Sequence, residues 1–270
     1  MSSTRTIGFI GGGNMAEALI RGLLAQGQPA GHIMAADPSA ERRALLRDRY
    51  GVAVAADNRA VAEGCRLLVL AIKPQLVTVV VPELAGVVTA EQLTVSILAG
   101  TATATLERLL GGAARVVRAM PNTPALVGCG ATALCAGRFA TAADLETAAA
   151  LFEAVGSVCT VSEAQMDAVT GLSGSGPAYV FSVIEALAEG GVREGLEPGA
   201  ALELATRTVL GAAKLVAESG EAPAELRQKV CSPGGTTLAG LTALEERDLK
   251  GTLIEAVARA TRRSIELGKG

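Results

Sequence analysis

At about residue 162 the pattern of apolar residues changes, and no other feature of the 270-residue sequence limits the fold as strongly. Before that point, short aliphatic runs read as strands: TIGFI (6–10), HIMAA (32–36), LLVLAI (67–72), LTVSIL (93–98), RVVRAM (115–120), ATALCA (131–136) and SVCTV (157–161). Stretches of helical period lie between them, such as Met15–Gln26, Ala40–Arg49, Gln75–Leu84, Thr103–Leu110 and Ala142–Ala154. Apolar runs without polar alternation are covered on both faces, so residues 1–162 predict an α/β domain with a mostly parallel sheet. After it only helices follow: Glu163–Thr170, Gly176–Gly190, Pro198–Glu218, Ala224–Val230, Thr236–Glu246 and Leu249–Leu267. Residues 163–270 therefore predict an all-helical second domain.

Two of those helices, AYVFSVIEALAEG and ALELATRTVLGAAKLVAE, are apolar around most of their circumference, and such a helix has to be buried nearly all round. A tight monomeric bundle is the plain alternative. A module of this size has little interior, however, so burial in a homodimer interface is the favoured expectation. Composition narrows the partners. There is no Trp, only two Tyr, and a net charge of −3 with no basic run, which argues against base stacking and a nucleic-acid footprint. No run approaches the roughly 18 apolar residues of a membrane span, and the N-terminus shows no signal-peptide pattern. Cys65, Cys129, Cys135, Cys159 and Cys231 are scattered, and His32 is the only histidine. A cytoplasmic, reduced protein without a metal site is the expectation.

In IGFIGGGNMAEALIRGLL, Gly11, Gly13 and Ala16 sit directly after a strand and open a helix. The first glycine permits a tight turn, the second admits a pyrophosphate, and a small third residue packs helix on strand, so dinucleotide binding is expected. Asp37, in MAADPSAERR, stands where an acid accepts from adenosine ribose hydroxyls, whereas Arg42 and Arg43 would suit a 2′-phosphate. Asp-Pro-Ser is also ordinary turn and capping chemistry. LAIKPQ and SILAG each close a strand, which makes Lys73, Pro74, Ala99 and Gly100 candidates for the crevice. Lys73 fits a solvated turn equally well. Between two helical flanks lies Ser232-Pro233-Gly234-Gly235-Thr236-Thr237, whose glycines let a ligand approach unpaired N–H groups at a helix start. Its plain alternative is a Ser232 N-cap with proline at the first helical position.

With GFIGGGNMAEAL, AIKPQ, VRAMPNTPALVG, GLSGSGPAYVFSVIEAL and SPGGTTLAGLTALE in this order, the chain resembles the pyrroline-5-carboxylate reductase family over essentially its whole length. The resemblance implies an N-terminal Rossmann domain and a C-terminal helical dimerisation domain, with the active site where they meet near a dimer interface. It implies hydride transfer from NAD(P)H to the C=N bond of 1-pyrroline-5-carboxylate, giving L-proline, in dimers that often assemble as a decamer. By the same resemblance Gly11, Gly12, Gly13, Asn14, Met15, Asn58, Ala71, Ile72, Lys73, Pro74, Ile97, Leu98 and Ala99 fall where the family contacts its dinucleotide. Ser232, Gly235, Thr236 and Thr237 fall where it holds substrate, and Glu163 matches a carboxylate near that pocket. NADP(H) is the expected cofactor. Asp37 departs from the small hydroxyl residue of some relatives and keeps NAD(H) in play. Ala222 replaces a histidine common in the family.

The substrate's carboxylate needs donors, which the backbone from Gly234 to Thr237 offers at a helix N-terminus. Its imine takes a proton readily, so the Thr237 hydroxyl need only orient the nitrogen and relay a proton from water. Ser173 and Ser175, in GLSGSGPAY, either donate to substrate or cap a long helix starting there, and Asn122 is either a turn residue or a cofactor contact. Two rivals stand beside this reading. A β-hydroxyacid-type dehydrogenase or imine reductase shares the architecture, but Lys214, Lys229, Lys250 and Lys269 lack the glycine-rich setting of a catalytic lysine. A non-catalytic dinucleotide-binding regulator would have no use for the SPGGTT loop.

Overall fold

The computed structural model describes residues 5–268, so Lys269 lies outside the described residues. In chain order it begins β1 (Arg5–Ile10), α1 (Asn14–Ala25), β2 (Ile33–Ala36), α2 (Ala40–Tyr50), β3 (Ala53–Ala55), α3 (Asn58–Gly64) and β4 (Cys65–Leu70). It continues α4 (Val77–Glu83), β5 (Leu93–Ser96), α5 (Thr103–Leu110), β6 (Arg115–Met120), β7 (Gly130–Ala136), α6 (Ala142–Glu153) and β8 (Gly156–Thr160). The remainder is helical: α7 (Met166–Val169), α8 (Gly176–Arg193), α9 (Pro198–Ser219), α10 (Pro223–Lys229), α11 (Thr236–Glu246) and α12 (Leu249–Leu267).

The eight strands form one sheet in the order β3-β2-β1-β4-β5-β6-β7-β8. The first six strands in chain order are parallel, and β7 pairs antiparallel with β6, Arg118 lying opposite Cys135. The reversal has a simple cause. Only residues 121–129 separate β6 from β7, too few for a crossover, whereas α6 carries the chain from β7 to a parallel β8. Helices α1 and α6 cover one face, with Leu19, Ile20, Leu151 and Phe152 buried against Phe9 and Val69. On the other face Val61, Val81 and Leu106 of α3, α4 and α5 pack on Ile10, Leu68 and Val116. A sheet wrapped on both sides is the fold that unalternated apolar strands require.

Two elements were not foreseen in the sequence. β3 has three residues and α3 seven, too short for either period to show in an alanine-rich stretch. Asp57 starts α3 by accepting from the Arg59 N–H at 3.0 Å. The long helix α8 starts at Gly176, within GSGPAY as the sequence predicts, and the helical turns from Glu163 lead into it through a π turn at Thr170–Gly174 that no period in the sequence announces. Ser173 lies inside that turn and Ser175 ends it. The Ser173 hydroxyl donates to the Val169 carbonyl at 3.2 Å, and the Ser175 N–H reaches the Thr170 carbonyl at 2.9 Å.

The described residues form two compact units, 5–175 with 259–268, and 176–258. The second contains α8 to α11 and the first half of α12, and its only buried residues are Ala201 and Ala205. Phe181 is 63% exposed, Leu204 57% and Ile254 60%. A tight monomeric bundle is thus not what these helices form within one chain. No helix among the described residues is long and apolar enough to cross a membrane.

Candidate active site

Gly11 leaves β1 at φ +100, a conformation that strains any residue with a side chain. A Cβ there would also lie 2.6 Å from the Ala71 carbonyl oxygen. Glycine therefore lets the turn after β1 rest on the turn after β4, where the strand order reverses and an open α/β sheet has its crevice. The Gly11 N–H donates to Ala36 and the Ala71 N–H to Ile10, each at 2.8 Å, which ties three strand ends together. Gly13 opens α1 with free space where a Cβ would stand, and no side chain caps the helix. The N–H groups of Asn14, Met15 and Ala16 thus have no acceptor within the helix, at its positive end. A pyrophosphate has the charge and the acceptors that these donors suit.

Asp37 braces this turn. One carboxylate oxygen accepts from the Gly12 N–H and the other from the Ser39 N–H, both at 2.9 Å. Arg42 donates to the Gly12 carbonyl and pairs with Glu17, so both polar groups of Gly12 are held from the β2–α2 connection. Arg43 donates to the carbonyls of Asp37 at 2.6 Å and Pro38 at 2.9 Å. Both arginines considered for a 2′-phosphate are thus engaged in holding the loop. Burial would push the Glu17 carboxyl up, but hydrogen bonds from Tyr50 and Arg42 and the charges of Arg42 and Arg49 outweigh it and hold the carboxyl below its ordinary value.

The other cofactor candidates fall in register. Asn58 begins α3 after β3, Ala71 to Pro74 follow β4, and Ile97 to Ala99 follow β5. Together with Gly11 to Met15 and Asp37 they occupy the carboxyl ends of five neighbouring parallel strands. Lys73 is exposed and starts a 3₁₀ turn at Pro74–Leu76; Leu98 is 1% exposed, its N–H donating to the Ser96 hydroxyl and its carbonyl accepting from the Thr101 N–H, each at 3.3 Å. Asn122 is spoken for at both ends of its amide, accepting from the Ala131 N–H at 2.9 Å and donating to the Ser173 carbonyl at 3.2 Å. It anchors the π turn.

Glu163 is engaged within the first unit. Its carboxylate accepts from the Thr103 N–H at 2.7 Å and from the Thr103 hydroxyl, with Arg118 Nη1 at 3.5 Å. These bonds close the first turn of α5, and the Glu163 side chain is still 34% exposed. Burial, followed by the Glu163 charge, pushes the neighbouring Cys135 thiol up to about 11, so this cysteine stays protonated and inert.

The loop at 232–237 belongs to the other unit. Pro233 and Gly234 (φ +67) are the central residues of a turn closed by the Gly235 N–H on the Ser232 carbonyl at 2.9 Å. A Cβ on Gly235 would stand 2.2 Å from the Ser232 hydroxyl oxygen and 3.1 Å from the Ser232 carbonyl oxygen, so a side chain here would displace the Ser232 hydroxyl. The N-cap of α11 is Gly235, without a side-chain cap. This corrects the expected Ser232 cap with Pro233 at the first helical position, and it removes the Gly235 N–H from the donors free for a carboxylate. The N–H groups of Thr236, Thr237 and Leu238 remain without helical acceptors, and both threonines are exposed. Ala222, in the place of the family's histidine, is the N-cap of α10 and offers no acceptor.

Comparison with known proteins agrees with this geometry. Residues 163–267 match the family model described as pyrroline-5-carboxylate reductase dimerisation, and residues 6–100 match that of NADP oxidoreductase, coenzyme F420-dependent. The pyrroline-5-carboxylate reductase of Synechocystis sp. is 48% identical, over 97% of this chain and 98% of its own. The solved structure of the Coxiella burnetii pyrroline-5-carboxylate reductase superposes with a TM-score of 0.94 at 39% identity, covering 99% of this chain and 100% of that one. The Plasmodium falciparum enzyme, solved with NADP bound, gives 0.87 at 30% identity over 99% of each chain. Identities of 30–48% over at least 97% of the chain, with TM-scores of 0.94 and 0.87 for the two solved structures, leave one conclusion: the chain belongs to the pyrroline-5-carboxylate reductase family.

Proposed function

We propose that this chain reduces the C=N bond of 1-pyrroline-5-carboxylate to give L-proline, with NADPH as donor and NADH as a second substrate of the same groove. The observation that carries the reading is the pair of glycine turns, Gly11–Gly13 and Ser232–Gly235, that each lead into a helix start without a side-chain cap, α1 and α11. Each presents three N–H groups to an anion, one matching a pyrophosphate and the other a carboxylate. Gly11 to Met15, Asn58, Ala71 to Pro74 and Ile97 to Ala99 hold the dinucleotide, which supplies hydride to the imine carbon when bound. Thr236, Thr237 and Leu238 N–H groups hold the substrate carboxylate, and the turn Ser232–Gly235 shapes its approach. The Thr237 hydroxyl orients the ring nitrogen and passes it a proton from water; an imine this basic needs no stronger acid.

The same reading divides the chain into a dinucleotide-binding domain, 1–162, and a helical dimerisation and substrate domain, 163–270, in line with the two model matches. It includes self-association as a dimer, with a decamer as the larger assembly, and a cytoplasmic setting in keeping with five free thiols. Thr237→Ala tests the chemistry. Dinucleotide affinity stays within twofold, while kcat falls by about one to two orders of magnitude, the ~1.4–2.7 kcal/mol of one lost transition-state hydrogen bond. Thr237→Ser keeps the hydroxyl and most of the activity. A Thr237→Ala variant equal to the parent in kcat and substrate KM removes the hydroxyl from the mechanism.

A further inference from the structure

The β5–α5 connection carries Ile97 to Ala99, and its far end has a capping problem. The N-cap residue of α5 is Ala102, which has no side-chain acceptor, so the first N–H groups of the helix are left without a local partner. The acceptor arrives from 60 positions away in sequence: the Glu163 carboxylate takes the Thr103 N–H at 2.7 Å and the Thr103 hydroxyl as well. A carboxylate at a helix N-terminus is favoured by both the hydrogen bonds and the dipole. Arg118 stands behind it, its side chain 5% exposed, with Nη1 3.5 Å from Glu163 and Nη2 without a partner. That guanidinium supplies positive charge that holds the carboxylate in place without competing for a better acceptor. The near end of the connection is also fixed, by the Ile97 N–H on the Leu70 carbonyl at 3.2 Å. Its middle is met by the end of α12, where a Cβ on Gly268 would come within 2.9 Å of the Gly100 carbonyl oxygen.

We propose that Glu163 is a positioning residue that sets the β5–α5 connection, and through it the dinucleotide groove at Ile97 to Ala99, instead of a residue that touches substrate. This rests on the dinucleotide site proposed above and gives Glu163 a part in it that the family resemblance does not. The consequence is a separation of effects: losing the carboxylate loosens the connection and weakens the dinucleotide, while substrate binding at saturating dinucleotide stays as it is.

The experiment uses the full-length protein and three variants, Glu163→Ala, Glu163→Gln and Thr103→Val. Amide hydrogen exchange over 97–106 is followed against 5–16 as internal reference, NADPH Kd is read from nicotinamide fluorescence, and substrate KM is measured at saturating NADPH. In Glu163→Ala, exchange over 97–106 rises about tenfold and the NADPH Kd about fivefold, with substrate KM within twofold of the parent. Glu163→Gln keeps an oxygen for the Thr103 N–H and recovers most of both losses; Thr103→Val, with the N–H but no hydroxyl, falls between. Unchanged exchange and Kd together with a raised substrate KM overturn the proposal, because Glu163 then meets substrate. Should Glu163→Ala not fold, Thr103→Val decides: parental exchange and Kd there also overturn it. A parent that forms no proline would sink the proposed reaction but not this assignment, since exchange and Kd are read without turnover.

Discussion

Asp37 shows how one side chain can carry two duties whose effects oppose each other. Its oxygens accept from Gly12 and Ser39, and each oxygen retains a second lone pair that suits a ribose hydroxyl. From the sequence alone, removing the acid simply eases NADPH binding by removing repulsion of the 2′-phosphate. The brace on Gly12 adds a cost shared by both cofactors, since Asp37→Ser leaves two backbone N–H groups without their acceptor. The expected outcome is a KM for NADH raised by about tenfold, with a smaller rise or none for NADPH, where lost repulsion offsets the lost brace. Steady-state kinetics with each cofactor checks it. An equal change for both places the charge away from the 2′ position; no change for either makes the brace dispensable.

At the level of elements, the sequence shows best what a single period or a glycine rule can encode. α11 and α12 begin and end at the residues expected, Thr236–Glu246 and Leu249–Leu267, because both are long and bounded by turn residues. β3 and α3 were hidden, since three residues hold too few alternations to show a strand and alanine fits either period. The glycine turn after β1 was legible because Gly11 obeys backbone sterics that are local. The partners of Glu163, Asn122 and Arg42 were not, because each side chain bonds to backbone brought near only by the fold, Thr103 from 60 residues away and Ser173 from 51. The same limit applies to Gly235: the Ser232 hydroxyl lies where a Cβ on Gly235 would stand, a crowding invisible until the turn is closed.

For the whole molecule, the telling contrast is between a sheet unit with a dense core and a helical unit whose buried residues number only Ala201 and Ala205. Phe181, Leu187, Leu204, Leu210 and Ile254 are each at least half exposed in the single chain. Full burial of such a side chain is worth about 1.5–3 kcal/mol and roughly half of that is still to be gained here, so a second chain that covers most of these faces offsets the ~4–15 kcal/mol cost of association. Light scattering at low micromolar concentration should accordingly show a dimer or a larger multiple of it, and a stable 27.2 kDa monomer would contradict the reading of these faces. The reaction itself is tested most directly by stoichiometry. Purified protein mixed with 1-pyrroline-5-carboxylate and NADPH, and separately NADH, is followed by dinucleotide absorbance and by proline quantification. One proline formed per dinucleotide oxidised, abolished when the imine is omitted, is the predicted result; dinucleotide that stays reduced with both cofactors, and no proline, would contradict it.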